Sequence, residues 1–203
     1  MSVFPGWRAG MIISGLLVVV AQATTVIPPD FQQLVSQSDY IVRAVVKSVT
    51  SEMQTDGQSR HIITKVELDV REVISGTPPQ PLVLEMLGGR VGAEEMVVQG
   101  APQFKVGDED ILFVHGNGQQ INPLVALMHG RYPIKRDAAT GREFMARSNG
   151  EALYDEKDVV QPMAETALVQ RALKANAQPL SAADFVSRIK TAARNTPRPP
   201  LQN

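Results

Sequence analysis

One stretch of the sequence restricts the fold more than any other: residues 60–74, which read RHIITKVELDVREVI. Apolar or β-branched residues recur there at every second position and charged residues alternate with them: Ile62, Thr64, Val66, Leu68 and Val70 against Lys65, Glu67, Asp69 and Arg71. This period of two is typical of a long, half-buried β-strand. The alternation slips at Arg71-Glu72, because Val73 resumes it on the other parity. A β-bulge at that step would restore an inward-facing apolar residue and bend the strand, as a small barrel requires.

The segment before this stretch predicts its hairpin partner. Residues 40–49 alternate in the same way, and their second face is amphipathic rather than polar. Between the two segments, Asp56-Gly57 is a turn signal, because this dipeptide tolerates the positive φ angles of tight hairpins. We therefore expect residues 40–49 and 60–74 to pair as an antiparallel hairpin.

Further short strands follow, and together they indicate the fold class. Alternating or compact apolar segments lie at residues 81–87, 110–115 and 121–127, and a last strand pair lies at residues 131–136 and 142–147. Pro133 places that last pair at an edge, because proline has no N–H for a ladder. About five to seven strands in meander order predict a mainly β protein: a small OB-like closed or partly open antiparallel barrel with C-terminal helices.

Three segments carry signals for helices. Asp30 is placed to cap a short helix over residues 31–38. Residues 165–175 have helical spacing, and Ser181-Ala182-Ala183-Asp184 has the form of a capping box before an apolar stripe. Leu180 and Phe185 flank that box in the positions of a hydrophobic staple.

The N-terminus has the organisation of a secretory signal peptide. One basic side chain, Arg8, precedes the apolar run MIISGLLVVV, and Ala21-Gln22-Ala23 supplies the small-x-small pattern of a cleavage site. A run of about 10 apolar residues is too short to span ~30 Å of hydrocarbon, although an uncleaved anchor is the alternative. We expect an exported protein, periplasmic or secreted. Its predicted order is a signal peptide at 1–23, a β-barrel domain at 24–154, a helical extension at 155–194 and a disordered, proline-rich tail at 195–203.

Composition argues against several classes of partner. Lys and Arg number 20 and Asp and Glu number 21, so the chain has no basic footprint for nucleic acid. The one tryptophan, Trp7, lies in the predicted signal peptide. Binding sites for sugars and for single-stranded nucleic acids usually depend on stacked aromatic side chains, so this composition argues against both. No later apolar run is long enough to cross a membrane, and cysteine is absent. We expect a protein or cell-envelope component as partner, no nucleic acid, and stability from the core alone.

No group of residues in the sequence predicts a catalytic or metal site. His61, His115 and His129 have no metal-ligand spacing. His115 and His129 could approach each other in a barrel, but we favour local hydrogen bonds. Asp108-Glu109-Asp110 lacks the spread of a calcium loop and is expected to be a solvated turn. The serines form neither a GxSxG elbow nor an SxxK motif, so we predict no catalytic residues, no metal and no cofactor.

The irregular connection at residues 88–107 is the candidate binding region. In the structural interpretation, Gly88 and Gly89 simply let the backbone turn sharply between strands. Long irregular connections in compact domains are, however, often functional. In the functional interpretation, the connection faces a ligand or partner. Arg90 is then the charged contact, and the segment 100–104 forms the opposite lip of the binding site. The candidate binding residues are Gly88, Gly89, Arg90, Pro102 and Phe104.

Several of these segments together resemble an uncharacterised family of exported bacterial proteins. The matching segments, all within residues 38–147, are SDYIVRAVV, TKVELDVREVISG, LGGRVG, VQGAPQFKVGDEDILFV and HGRYPIK. The resemblance implies a secreted β-domain and brings no established activity. More distantly, the first hairpin is similar to the first strands of the netrin-like, metalloprotease-inhibitor OB barrel. Those inhibitors act through an N-terminal cysteine and disulfides, which this chain lacks, so the similarity implies the barrel alone.

Two classes of function remain open on the sequence. The first is an exported, non-enzymatic binding module that engages a protein, peptide or envelope component through residues 88–107. The second is an envelope-polymer hydrolase whose acids or histidines are brought together only by folding. The lack of a catalytic grouping in the sequence favours the first.

Overall fold

A computed structural model of the protein describes residues 27–57, 59–161 and 177–195. The strands of this part of the chain are β1 (Tyr40–Asp56), β2 (Ser59–Ser75), β3 (Leu82–Leu87), β4 (Gly89–Val91), β5 (Glu94–Met96), β6 (Glu109–Val114), β7 (Arg131–Arg136) and β8 (Glu143–Met145). Six of them form one sheet in the order β3-β2-β1-β6-β7-β8, and β4 pairs with β5 separately. The helices are α1 (Phe31–Ser36) and α2 (Ala182–Asn195), with 3-10 helices at Leu127–Gly130 and Glu156–Val160. The prediction of a mainly β, antiparallel protein with a C-terminal helix is confirmed.

The predicted hairpin is formed by β1 and β2, which run for 17 residues each. Asp56 lies opposite Ser59 across the turn, and Gly57 has a φ of +58°, as the Asp-Gly signal predicts. β1 is longer than predicted, because it continues beyond Val49 through residues that are exposed or half-buried. This distal half of the hairpin extends past β6 and forms one wall of the site described below.

The predicted bulge is present in β2. The register between β1 and β2 skips Arg71, at the step where the alternation of the sequence slips. Val73 then lies opposite Val42 and shares its face of the sheet. Val73 is nevertheless 43% exposed, whereas Ile74 is buried on the other face. The bulge therefore returns Val73 to the face of the sheet that carries Val42, as predicted, but does not bury it.

The sheet is open in the part of the chain that the structure describes. β3 and β8 are the edge strands, and no ladder joins them, so the closed form of the predicted barrel is not found. Both edges are covered. Asn117 accepts from the N–H of Glu85 and donates to the carbonyl of Val83 on β3. On β8, the N–H of Met145 donates to the carbonyl of Leu180 at 2.8 Å.

Two predicted segments differ from the structure. Residues 121–127 contain a single bridge, between Leu124 and Val114, in place of a strand. The connection at 88–107, predicted to be irregular, contains the β4–β5 hairpin. The last strand pair, β7 and β8, lies at the end of the sheet, as predicted, although Pro133 itself is on β7, which has β6 on one side and β8 on the other.

β1 separates two hydrophobic clusters near its start, where it pairs with β6. Ile41 belongs to the first cluster, which also contains residues of α1 and α2 and the rings of Phe113 and Tyr132. Val42, the next residue, belongs to the second cluster, whose members come mainly from β1, β2 and β3. Successive side chains of a strand point to opposite faces. On the amphipathic second face of β1, Ile41 is therefore buried in the first cluster, whereas Arg43 and Val45 are half-buried.

Both of the predicted helix caps that lie in the described residues form. The N–H of Gln33 donates to Asp30 at 2.7 Å at the start of α1. The N–H of Asp184 donates to the Ser181 hydroxyl at 3.1 Å at the start of α2. Such caps satisfy backbone donors that a helix leaves unpaired, and each contributes about 1 kcal/mol.

The C-terminal helix is part of the first cluster. Phe185 of α2 is fully buried, and its ring centroid lies 5.8 Å from that of Phe31 and 5.1 Å from that of Tyr132. Aromatic pairs at such distances add about 0.5–1.5 kcal/mol beyond simple burial. The sheet, α1 and α2 therefore share one core.

Several predictions concern residues outside the described part of the chain. They are the signal peptide at 1–23, the helix at 165–175 and the tail at 195–203, of which only Asn195, the last residue of α2, is described. The boundary between the segments 24–154 and 155–194 also stays a prediction. The packing of α2 into the first cluster places its residues in the same core as the sheet.

We expect Phe185→Ala to lower the free energy of unfolding by about 3–5 kcal/mol, because the substitution empties the centre of the first cluster. Ser187→Ala is the matched control, since Ser187 lies exposed on the same helix, and it should change stability by less than about 0.5 kcal/mol. Urea denaturation followed by circular dichroism measures both. Equally small effects would mean that α2 is not part of the core.

Candidate functional site

A groove of about 300 Å³ lies between the distal half of the β1–β2 hairpin and the connection from β3 to β6. The five candidate residues from the sequence all line it: Gly88, Gly89, Arg90, Pro102 and Phe104. The rest of its lining is mostly apolar and includes Val49, Val66, Met86, Met96, Val97 and Val98. We call this feature the hairpin groove. Its inner end is continuous with the second cluster, because Val66 and Met86 belong to both.

Gly88 and Gly89 let the chain cross closely over the hairpin. Gly89 has a φ of +135°, and a Cβ atom there would lie 2.2 Å from Oγ1 of Thr64 and 2.6 Å from Oγ of Ser51. The Thr64 hydroxyl donates to the carbonyl of Gly88 at 2.6 Å and lies 2.8 Å from the Ser51 hydroxyl. Both hydroxyls are therefore used to fix the floor of the groove. Glycine is required at position 89 by this close approach, whatever the groove binds.

Arg90 lies at the rim of the groove, on β4. It is opposite Glu95 of β5, and its Nη2 lies 2.8 Å from Oε2 of that residue. Gly92 has a φ of +60° and takes the first position of a two-residue turn, where glycine is favoured. Exposed ion pairs contribute at most about 1 kcal/mol. Arg90 can therefore exchange Glu95 for an acidic group of a ligand at little cost.

Arg131 of β7 holds the other lip of the groove in place. Its Nε donates to Oδ1 of Asp110 at 2.9 Å, and its Nη2 donates to Oδ2 of Asp108 at 2.7 Å. Its Nη1 donates to the carbonyl of Gln103. The guanidinium carbon lies 4.5 Å from the centroid of the Phe104 ring, within the range of a cation–π contact. One buried side chain thus fixes both the backbone and the ring that form this lip.

Sequence reasoning missed this arrangement. Asp108-Glu109-Asp110 was expected to be a solvated turn, and this is wrong for Asp110, which is fully buried on β6. Burial raises the pKa of the Asp110 carboxyl, and the neighbouring Arg131 opposes that rise. The contact depends on the register of β6 and β7, in which Leu112 lies opposite Arg131. No local pattern in the sequence reports that register.

We expect Arg131→Met to lower the free energy of unfolding by about 3–5 kcal/mol near neutral pH, because the buried Asp110 carboxylate would lose its partner. The loss should be smaller at about pH 4 than at about pH 7. Without the guanidinium, the pKa of Asp110 rises further, and a carboxyl with a raised pKa costs stability as pH increases above its unfolded value. Denaturation at both pH values measures the difference. A loss that is the same at both would contradict the role given to Asp110.

The two histidines considered as possible neighbours have separate surroundings. Nδ1 of His115 lies 3.2 Å from Oδ1 of Asp39 in an exposed position. His129 is buried, and its burial, with the positive charge of Arg147, lowers its pKa to about 4. Arg147 is itself buried and donates to the carbonyl of Gln161. Among the described residues, no group of three or more histidines and acids could hold a metal ion.

The buried His129 generates a prediction on pH. Its folded pKa of about 4 lies below the value of 6.5 for an unperturbed histidine, so stability should be lost as pH falls from about 6.5 to about 4. His129→Gln removes the titrating group and should flatten the stability curve over that interval. Denaturation midpoints measured across the interval test this. An unchanged slope in the variant would show that His129 is not the group responsible.

The lining of the hairpin groove is suited to binding rather than to proton transfer. Glu95 is the one carboxylate among the described lining residues, and it is ion-paired with Arg90. The hydroxyls of Ser51 and Thr64 are bonded to the floor. An apolar cleft with a few polar groups at its rim is the usual form of a ligand site.

No protein-family model matches this chain, and none of the curated proteins with which it was compared matches it. In the part of the chain that the structure describes, no helix has both the length and the apolar character needed to cross a membrane. The function is therefore argued from the hairpin groove and its surroundings.

Proposed function

We propose that the protein is an exported, non-enzymatic binding module that holds an apolar side chain of a protein, peptide or envelope component in the hairpin groove. The observation that carries this proposal is the apolar lining of the groove together with its exposed rim. Val49 and Val97 line the groove and are 37% and 76% exposed. A groove lined mainly by apolar side chains, with a few polar groups at its rim, is the usual form of a ligand site.

The fixed shape of the groove supports the same proposal. Its floor is fixed by hydrogen bonds from Thr64, and its far lip is fixed by Arg131. A groove that is already formed requires little ordering when a ligand binds, which favours affinity. Arg90 and Glu95 at the rim offer charges to polar groups of the ligand.

The proposed place of action is outside the cytoplasm, either periplasmic or extracellular. This part of the proposal rests on the signal-peptide pattern of residues 1–23 and on the resemblance to exported bacterial proteins. We also propose that the bulged sheet is the partly open form of an OB-like barrel, with the second cluster as its interior. The bulge at Arg71 supports the curvature that such a barrel needs.

The alternative of an envelope-polymer hydrolase has less support. A hydrolase of that kind needs two carboxyl groups, or a comparable acid and base, facing one cleft. Glu95, the carboxylate of the described groove lining, is held by Arg90. His129, which is buried with Arg147, is not among the residues that line the groove.

A peptide library displayed on phage and selected on the purified protein tests the proposal. We expect selected peptides to carry apolar residues, and Val97→Asp to weaken their binding by at least about tenfold, because a charge would replace an apolar contact. Ile27→Asp is the matched control, since Ile27 is also a highly exposed aliphatic residue but lies outside the groove. Titration calorimetry measures both variants.

Two results would contradict the proposal. One is a selection that yields no peptide with measurable affinity for the protein. The other is a peptide that binds the Val97→Asp and Ile27→Asp variants equally well, which would place its site elsewhere.

A further inference from the structure

The outer edge of β1 is paired along only half of its length. β6 pairs with β1 from Tyr40 to Val45. The last contacts on that side are the N–H of Val46 to the carbonyl of Asp108 at 2.8 Å, and the N–H of Gly107 to the carbonyl of Val46 at 2.9 Å. β1 then continues to Asp56 with β2 as its single ladder partner in the described residues.

The register of the hairpin identifies the backbone groups on this free edge. Asp56 and Ser59 flank the turn, and in a two-residue hairpin such flanking residues exchange hydrogen bonds with each other. Residues at alternate positions from Asp56 therefore bond to β2, and those between them point outward: Val49, Ser51, Met53 and Thr55. Among the described residues, the N–H and C=O groups of these four have no backbone partner on the outer side.

The protein covers the two terminal strands of the sheet, β3 and β8. Asn117 covers β3 and Leu180 covers β8. Proteins also protect edges with proline or lysine, yet the segment 49–55, VTSEMQT, contains neither. In the described residues the outer side of β2 beyond Leu68, where β3 ends, also lacks a ladder partner, but of these two free edges the distal edge of β1 is the one that borders the hairpin groove.

This free edge borders the hairpin groove. Val49 and Ser51 line the groove and are two of the four residues with outward backbone groups. A strand laid beside β1 would place alternate side chains about 4.5–5.5 Å from those of Val49 and Ser51, on the groove side. Val97 and Phe104 line the same groove.

We propose that the partner of the hairpin groove is an extended polypeptide segment that adds to the edge of β1 between Val49 and Thr55 as a further strand, with apolar side chains at alternate positions entering the groove. This inference rests on the proposed function and names the form of the partner. A row of backbone donors and acceptors that repeats about every 7 Å is matched by another extended backbone. Main-chain bonds then supply affinity, and the groove selects side chains.

A second copy of the chain is the competing occupant of this edge. A copy pairing through its own β1 would bring Val49, Ser51, Met53 and Thr55 to the groove side, and two of these four are small and polar. The mostly apolar lining of the groove is better matched by a segment with larger apolar residues. We therefore assign the edge to a different polypeptide.

Met53→Pro, compared with Met53→Ala, tests the inference with a peptide selected as above. Proline removes the outward N–H of Met53 and leaves the ladder to β2 intact, because proline is tolerated where the N–H faces away from the sheet. Alanine removes most of the side chain and keeps the N–H. We expect Met53→Pro to bind the peptide at least about tenfold more weakly than Met53→Ala does.

A second measurement needs no variant of the protein. The selected peptide is methylated at one backbone nitrogen at a time and titrated into the wild-type chain. Strand addition predicts that binding is lost at every second nitrogen and retained at those between, because alternate N–H groups of the added strand face β1. This readout applies even where Met53→Pro does not fold.

The outcomes separate the inference from the proposed function. One outcome overturns strand addition and leaves the groove function standing: Val97→Asp weakens peptide binding, but neither Met53→Pro nor methylation of the peptide backbone does. Both fail where no peptide binds the wild-type chain. A wild-type dimer that Met53→Pro dissociates in sedimentation also overturns the inference, because a second copy would then occupy the edge.

Discussion

The rest of the structure depends on the cover that β1 receives on both faces near its start, where the neighbouring residues Ile41 and Val42 are both fully buried. Because successive side chains of a strand alternate, each face needs its own cover. The helices α1 and α2 cover one face around Ile41, and the segment containing Ala101 and Phe104 helps to cover the other. Beyond Val46 the pairing with β6 and the two buried clusters end, while the strand continues. The hairpin groove and the free edge of β1 both exist because this strand is longer than the layers packed against it.

Arg131 connects the stability of the sheet to the shape of the groove. The same guanidinium binds Asp110, which is in the interior of the sheet, and Gln103, which lines the groove. Burial makes the charge of Asp110 costly, so separating Arg131 from Asp110 would leave a buried carboxylate without its partner. The position of Phe104 over that guanidinium is therefore set by an ion pair in the core rather than by the groove itself. Any ligand meets a lip whose geometry is fixed beforehand.

How much of this could be predicted from the sequence follows from the range of each interaction. The Asp56-Gly57 turn, the bulge at Arg71 and the cap at Ser181 depend on neighbours within a few positions, and each was found where the sequence placed it. The candidate residues were located through their glycines and the punctuation of one connection, and they line one groove. The β4–β5 hairpin was missed because its strands have three residues each, too few to show a period. The burial of Asp110 was missed because it depends on pairing between separate strands.

If recognition occurs at the edge of β1, the absence of a recognisable motif in the sequence also has a physical explanation. Catalytic and metal sites require particular side chains, and these leave a pattern that can be recognised. A strand edge presents N–H and C=O groups, which every residue except proline carries. The only trace such a site leaves in the sequence is the lack of protection along it, in the segment 49–55, and the exposed valines beside it. Neither resembles a motif, and both acquire meaning only after the register of β1 against β2 and β6 is known.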